Sequence, residues 1–81
     1  MPEVNLWSGL RRFTDGALVV NVEATTIGEM LDALVAAHPG LAPVIEAGVS
    51  VAVDGQVVPN SLNHPIRPDS EIYLIRRVKG G

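Results

Sequence analysis

Apolar and polar residues alternate with a period of two in four stretches of the chain and recur with a period near 3.6 in one. Val4 to Trp7 sets Val4 and Leu6 on one face and Asn5 and Trp7 on the other, which predicts a short strand with one face inward. Ser8 to Gly16 holds Arg11, Arg12, Thr14, Asp15 and two glycines and predicts a hairpin loop longer than a tight turn, with Phe13 folding back onto the core. Leu18 to Glu23 is the second strand, with Leu18, Val20 and Val22 inward and Asn21 and Glu23 outward. Thr26-Ile27-Gly28-Glu29 then fits a capping box, and Ile27, Met30, Leu31, Leu34 and Val35 follow at i, i+3, i+4, i+7 and i+8, one apolar helical stripe. Glu29 and Asp32 lie off that stripe, where a solvated face explains them better than paired acid catalysis. His38-Pro39-Gly40 ends the helix, because the residue before proline leaves helical geometry.

Leu41 to Gly48 is a connection with room for one short helical turn. Val49, Val51 and Val53 alternate with Ser50, Ala52 and Asp54, a half-buried strand, and Asp54-Gly55 is a tight-turn pair leading into Gln56 to Val58. Pro59 stops that strand. Ser61 to Ser70 contains Pro65 and Pro68 and runs as a loop, with Leu62 and Ile66 as plugs beneath it. Glu71 to Val78 is the last strand, with Ile72 and Leu74 on one face and Tyr73 and Ile75 on the other. The order of strand, strand, helix, strand, short strand, strand describes an α+β module with one helix on one face of a small mixed sheet. The strand, crossover helix and strand in sequence imply that part of the sheet is parallel.

Composition agrees with one folded module: 81 residues, 47% apolar and 19% charged. There is no cysteine, which removes disulfides, thiolate catalysis and cysteine-based zinc sites. The opening Met1-Pro2-Glu3 lacks the features of a targeting segment and no apolar stretch reaches membrane-spanning length, so the expectation is a soluble cytoplasmic protein with no membrane partner. The net charge of −3 argues against nucleic acid as a partner. Arg76, Arg77 and Lys79 hold three of the six cations, so residues 1–75 carry three cations against nine carboxylates, a net of −6. The body is acidic and the end basic.

The chain closes on Val78-Lys79-Gly80-Gly81. Glycine suits places where backbone must pass close to another surface, so these residues read as a thin tether carrying the Gly81 carboxylate. The domain division expected is 1–77 for the folded module and 78–81 for a flexible tail.

Thr26-x-x-Glu29-x-Leu31, His38-Pro39-Gly40-Leu41, Pro68-Asp69-Ser70-Glu71-Ile72 and the terminal Gly80-Gly81 together resemble the ubiquitin-like sulfur carriers, the MoaD and ThiS family. Leu10-Arg11-Arg12 and Asn63-His64-Pro65-Ile66 are more similar to the MoaD type, the small subunit of molybdopterin synthase. The resemblance covers essentially the whole chain and implies a β-grasp fold, a mixed sheet of four to five strands with one main helix. It further implies that an E1-like adenylyltransferase of the MoeB or ThiF type uses ATP to adenylate the Gly81 carboxylate, and that a sulfur donor then yields a thiocarboxylate. A large synthase subunit of the MoaE type is a further partner on this reading. The chain would bind no cofactor of its own and supply no catalytic side chain. MoaD-like tails usually have apolar or proline residues before the end, whereas Arg76-Arg77-Val78-Lys79 is more similar to ubiquitin's own tail.

Trp7, Tyr73 and Ile75 fall on the strand faces opposite the core and, with Arg76 and Arg77, are the candidate partner-binding residues; the alternative is that loops cover them. Val78, Lys79 and Gly80 form the tail, and Gly81 is the candidate modified residue. Arg76, Arg77 and Lys79 suit an acidic groove, or simply keep an apolar strand solvated. His38 suits the C-terminal end of the helix dipole and His64 a loop, with no metal-ligand spacing between them. A phosphate-binding loop and a Ser-His-Asp arrangement are both absent from the sequence. Two other functions stay open: a covalent protein modifier attached through Gly81, and a β-grasp interaction domain with an inert tail. The pathway also stays open, since molybdopterin, thiamine, cysteine, tRNA thiolation and siderophore-like metabolites use similar carriers.

Overall fold

A computed structural model describes residues 2–58 and 62–76. Five strands form one sheet: β1 (Glu3–Asn5), β2 (Val19–Asn21), β3 (Val49–Val53), β4 (Gln56–Val58) and β5 (Glu71–Arg76), in the order β2-β1-β5-β3-β4. β1 and β5 are parallel, with Val4 beside Ile72, and the other neighbours are antiparallel. The parallel pair therefore joins the first and last strands, whereas β2 and β3, which flank the long helix in sequence, are not neighbours. Helix α1 (Ile27–Ala37) and the short α2 (Ala42–Ala47) lie between β2 and β3 in sequence. This is the β-grasp arrangement of a mixed sheet with one main helix.

Three of the five residues of the helix stripe are buried as expected, and Leu31 and Val35 are half-buried. Ile27, Met30 and Leu34 are buried against Val4, Val20, Val51, Ile72 and Leu74 of the sheet, and Leu31 packs beside them half-buried. Every N–H of the first turn of α1 has an acceptor. Thr26 Oγ1 accepts from the Glu29 N–H at 3.2 Å and Thr26 O from the Met30 N–H, while the loop carbonyls of His64 and Leu62 accept from Ile27 and Gly28 at 3.0 and 2.8 Å. The reciprocal arm of the capping box lands one residue early: Glu29 Oε1 accepts from the Thr25 N–H and hydroxyl, each at 2.9 Å. His38 is the C-cap, its N–H donating to Leu34 O.

The Asp54-Gly55 turn closes β3 onto β4, with Val53 beside Gln56 and positive φ at both turn residues, +50° and +86°. Ala52 is buried although it lies on the face away from the helix, because β3 is flanked by β5 and β4.

Several expectations are corrected. Ser8–Phe13 is a 3₁₀ helix rather than open loop, and Thr14, buried, ties its exit by donating from Oγ1 to Ala17 O at 2.7 Å. Phe13 does pack on the core, beside Gly40. Leu18, expected inward, is exposed: it precedes β2, an edge strand with a neighbour on one side only. Leu62, expected as a plug, is exposed, because the segment meets α1 through its backbone carbonyl, and Ile66 alone of the pair is buried. β1 ends at Asn5, so Trp7 lies beyond the ladder and strand parity no longer sets its direction. The expected boundary at residue 77 and the tail Val78–Gly81 lie outside the described residues.

Candidate functional site

Among the described residues, the face of the sheet opposite α1 carries the exposed apolar side chains of the strands. Its residues come from alternate positions of all five strands, and register aligns them. Val19 lies beside Asn5, Asn5 beside Tyr73, Tyr73 beside Ala52, and Ala52 beside Val57, one row across the whole sheet. Tyr73 is 45% exposed, Val19 45% and Val57 61%, and Ile75, two residues along β5 and beside Ser50, is 38% exposed. An apolar row of this kind on a small domain marks a binding surface more often than a scattered surface leucine does.

Asn5 interrupts the row with a polar group that is itself fixed. Its Nδ2 donates to Ile72 O across the parallel ladder at 3.0 Å, which leaves the side-chain carbonyl as the acceptor available to a partner.

Of the residues expected at the site, Tyr73 and Ile75 share this face and Arg76 is exposed at the end of β5, beside Val49. Trp7 departs from the expectation of an exposed patch residue. It is half-buried and packs against the core, with its indole over Gly9, where an added Cβ would stand 3.1 Å from Nε1. Arg77, Val78, Lys79, Gly80 and Gly81 lie outside the described residues. Val19, Asn5 and Val57 were missed as site residues. Alternation within each strand places them on the outer face, but only cross-strand register sets them in one row with Tyr73.

A second surface feature is an open concavity lined by Ser8, Gly9, Arg11, Arg12 and Gly16, with the Arg12 guanidinium 5.2 Å from the Phe13 ring centroid. Among the described residues, no three His, Cys, Asp or Glu side chains are grouped as metal ligands, and no helix is long and apolar enough to cross a membrane. Glu29 has its pKa held below the ordinary carboxylate value by the Thr25 N–H first and the Thr25 hydroxyl next, a capping interaction remote from the open face. The described residues thus combine an exposed apolar row on the sheet face opposite α1 with an exposed Arg76 at the end of β5, the strand that the Gly-Gly segment follows in sequence.

Comparison with known proteins agrees with this architecture. The chain matches the solved structure of small archaeal modifier protein 1 from Haloferax volcanii with 29% identity and a TM-score of 0.78, over 99% of this chain and 98% of that one. It matches a chain of the Amycolatopsis orientalis BexX/CysO complex with 22% identity and a TM-score of 0.82, over the full length of both. It matches a chain of the complex of subunits 1 and 2 of molybdopterin-converting factor from Helicobacter pylori with 21% identity and a TM-score of 0.69, over 99% and 97%. A search of curated proteins returned no match. The ThiS family profile matches residues 4–81, from β1 through the terminal glycines, and on that match the chain belongs to the ThiS family of ubiquitin-like sulfur carriers.

Proposed function

We propose that the chain carries sulfur on the carboxylate of Gly81. A carboxylate is a poor electrophile. An E1-like enzyme of the MoeB or ThiF type would join it to the α-phosphate of ATP with loss of pyrophosphate, and a sulfur donor would then displace AMP to leave a thiocarboxylate. Gly80 has no side chain, so the terminus can be threaded into a narrow enzyme site. ATP belongs to the activating enzyme, and the chain contributes a docking surface and a reactive terminus. Tyr73, Ile75 and Arg76 serve as the contact at the base of the tail, with Trp7 supporting the start of the 3₁₀ segment from beneath. Residues 1–77 act as the docking module and Val78–Gly81 as the tether. Lys79, with Arg76 and Arg77, suits an acidic entry groove.

The observation that carries the reading is the family match running through to Gly80-Gly81 on a fold whose last strand, β5, leads there. The partners suggested by similarity are a BexX-like protein and a second subunit of the molybdopterin-converting type, since related chains are found in complexes with such proteins. The test is top-down mass spectrometry after incubation with an E1-like enzyme, ATP and a sulfur donor. Oxygen replaced by sulfur must map to Gly81, because methionine oxidation at Met1 or Met30 adds nearly the same mass. Deleting Gly81 or making Gly80→Phe should abolish the modification and leave the fold unchanged. An unmodified Gly81 with several such enzymes would refute the proposal.

A second reading is favoured by the 29% identity to the archaeal modifier protein: attachment through Gly81 to lysines of other proteins. High-mass conjugates on a blot, lost on Gly81 deletion, would establish it.

A further inference from the structure

The 3₁₀ helix that follows β1 sorts its residues into rows, because three residues per turn bring i and i+3 over one another. Trp7, Leu10 and Phe13 fall in the row that packs on the core. Ser8 with Arg11, and Gly9 with Arg12, form the two outer rows, and these four residues together with Gly16 line the open concavity, about 580 Å³ in volume. That volume falls within the range of small-ligand sites. The hollow exists because Gly9 and Gly16 bring no side chains to it. Gly9 also admits Trp7, since an added Cβ would stand 3.1 Å from the indole Nε1 and 3.2 Å from Cδ1.

The charge around this hollow is uncompensated. Residues 1–75 contain three cations, Arg11, Arg12 and Arg67, and Arg67 pairs with Asp69 at 4.0 Å. Arg11 and Arg12 are both exposed, and among the described residues neither has a carboxylate partner. Asp15 is exposed nearby in sequence but is not one of the lining residues. Guanidinium groups donate and never accept, and the Ser8 hydroxyl can donate as well, so the lining side chains suit an acceptor-rich, negatively charged ligand. Arg12 is positioned rather than free: its guanidinium lies 5.2 Å from the Phe13 ring centroid, and Phe13 is itself fixed beside Gly40. Contact with the ring occupies the face of a guanidinium and leaves its N–H edge for a ligand. Two cations in the last turn also favour the helix dipole, but that effect needs neither a hollow nor a stacked arginine. We propose that the hollow binds a diphosphate group, either free pyrophosphate or the phosphate chain of a nucleotide, with one phosphoryl group on each arginine and the Ser8 hydroxyl as a further donor. Each guanidinium fork matches two oxygens of one phosphoryl group, so a single phosphate satisfies one fork and a diphosphate both. The net charge of residues 1–75 repels anions at a distance, so affinity must come from these directed contacts. Because β1 and β5 are parallel, the bound group sits at the end of the sheet where β5 finishes.

The test is titration of the isotope-labelled chain, followed by proton–nitrogen NMR, with pyrophosphate, ADP, AMP and inorganic phosphate at constant ionic strength held with sodium chloride. Pyrophosphate and ADP should give saturable shifts confined to residues 8–16, the Arg11 and Arg12 side-chain N–H groups and the Trp7 indole N–H. AMP and inorganic phosphate should bind about tenfold more weakly, because each fills one fork. R11Q and R12Q should each weaken pyrophosphate about three- to tenfold, and R11Q/R12Q by more than about tenfold. Spectra of these variants should be unchanged outside the loop, since both side chains are exposed. R11K/R12K keeps the charge and loses the forks, so it should also bind more weakly than the wild type. ADP binding more tightly than pyrophosphate would identify a nucleotide as the source, and equal or weaker binding free diphosphate. Shifts that do not saturate, that centre on other residues, or that persist unchanged in R11K/R12K would overturn the proposal, as would AMP binding as tightly as ADP. The site stands apart from the carrier reading: a Gly81 that never acquires sulfur would leave arginine-dependent binding of pyrophosphate intact.

Discussion

Two neighbours on β5, Ile72 and Tyr73, separate the core from the proposed docking surface, and truncating each to alanine should affect different measurements. Ile72 is 0% exposed and belongs to the main apolar cluster. Its truncation loses the transfer free energy of the side chain and leaves a cavity beneath α1, about 3–5 kcal/mol for a site with little freedom to collapse. A domain of this size has about 4–12 kcal/mol in total, so Ile72→Ala should be close to unfolded, with its melting midpoint lowered by roughly 15–25 °C. Tyr73 keeps 45% of its surface in water, so it buries about 100 Å² of side chain, worth at most ~2.5 kcal/mol at 25 cal/mol/Å². No cavity forms at an open face, and the extended-chain reference overstates burial, so about 1–2 kcal/mol is expected. Its larger effect should be on partner affinity, where loss of an aromatic anchor weakens binding by about tenfold or more. Guanidinium unfolding followed by the fluorescence of the single tryptophan, half-buried Trp7, gives the stabilities, and titration with the adenylyltransferase gives the affinities. If Tyr73→Ala loses as much stability as Ile72→Ala, or binds as tightly as the wild type, the assignment of the two faces is wrong.

Two further outcomes concern local structure. Thr26→Ala should cost about 1 kcal/mol in chemical denaturation, because the Glu29 N–H loses its cap. Glu29 has a depressed pKa in the folded state, so the unfolded chain binds more protons as pH falls. The stabilisation it confers is therefore full above the ordinary value of 4.5 and is lost as pH drops through its lower folded value. Glu29→Gln should remove that part of the acid dependence in denaturation curves recorded across the window, and an unchanged slope would contradict it. Gly55→Ala should cost about 1–2 kcal/mol, since φ of +86° in a two-residue turn disfavours a Cβ although open space surrounds it; an unchanged unfolding midpoint would show that the turn relaxes.

The residues at the ends of strands and in connections show where sequence stops being informative. Helix α1 was legible because its signals are local: a 3.6 period, a cap at Thr26 and a stop at His38-Pro39-Gly40 all act within one or two turns. The exposed faces of Tyr73 and Ile75 were legible for the same reason, since alternation is a property of one strand. Leu18, Leu62 and Trp7 were misjudged because each lies just outside a regular element. There a neighbour remote in sequence decides burial: an edge position for Leu18, a backbone contact with α1 for Leu62, a 3₁₀ segment for Trp7.

By itself the sequence determined the five strands and the main helix, the inward face of that helix and of the last strand, and the concentration of positive charge at the end of the chain. Tertiary structure alone decided that Glu3 stands beside Glu71, and that Val19, Asn5, Tyr73, Ala52 and Val57 form one row. The physical reason is that a side chain's face follows from the backbone geometry of its own element, whereas strand order and register follow from hydrogen bonds between segments as many as 68 residues apart, such as Glu3 and Glu71, which no local pattern encodes.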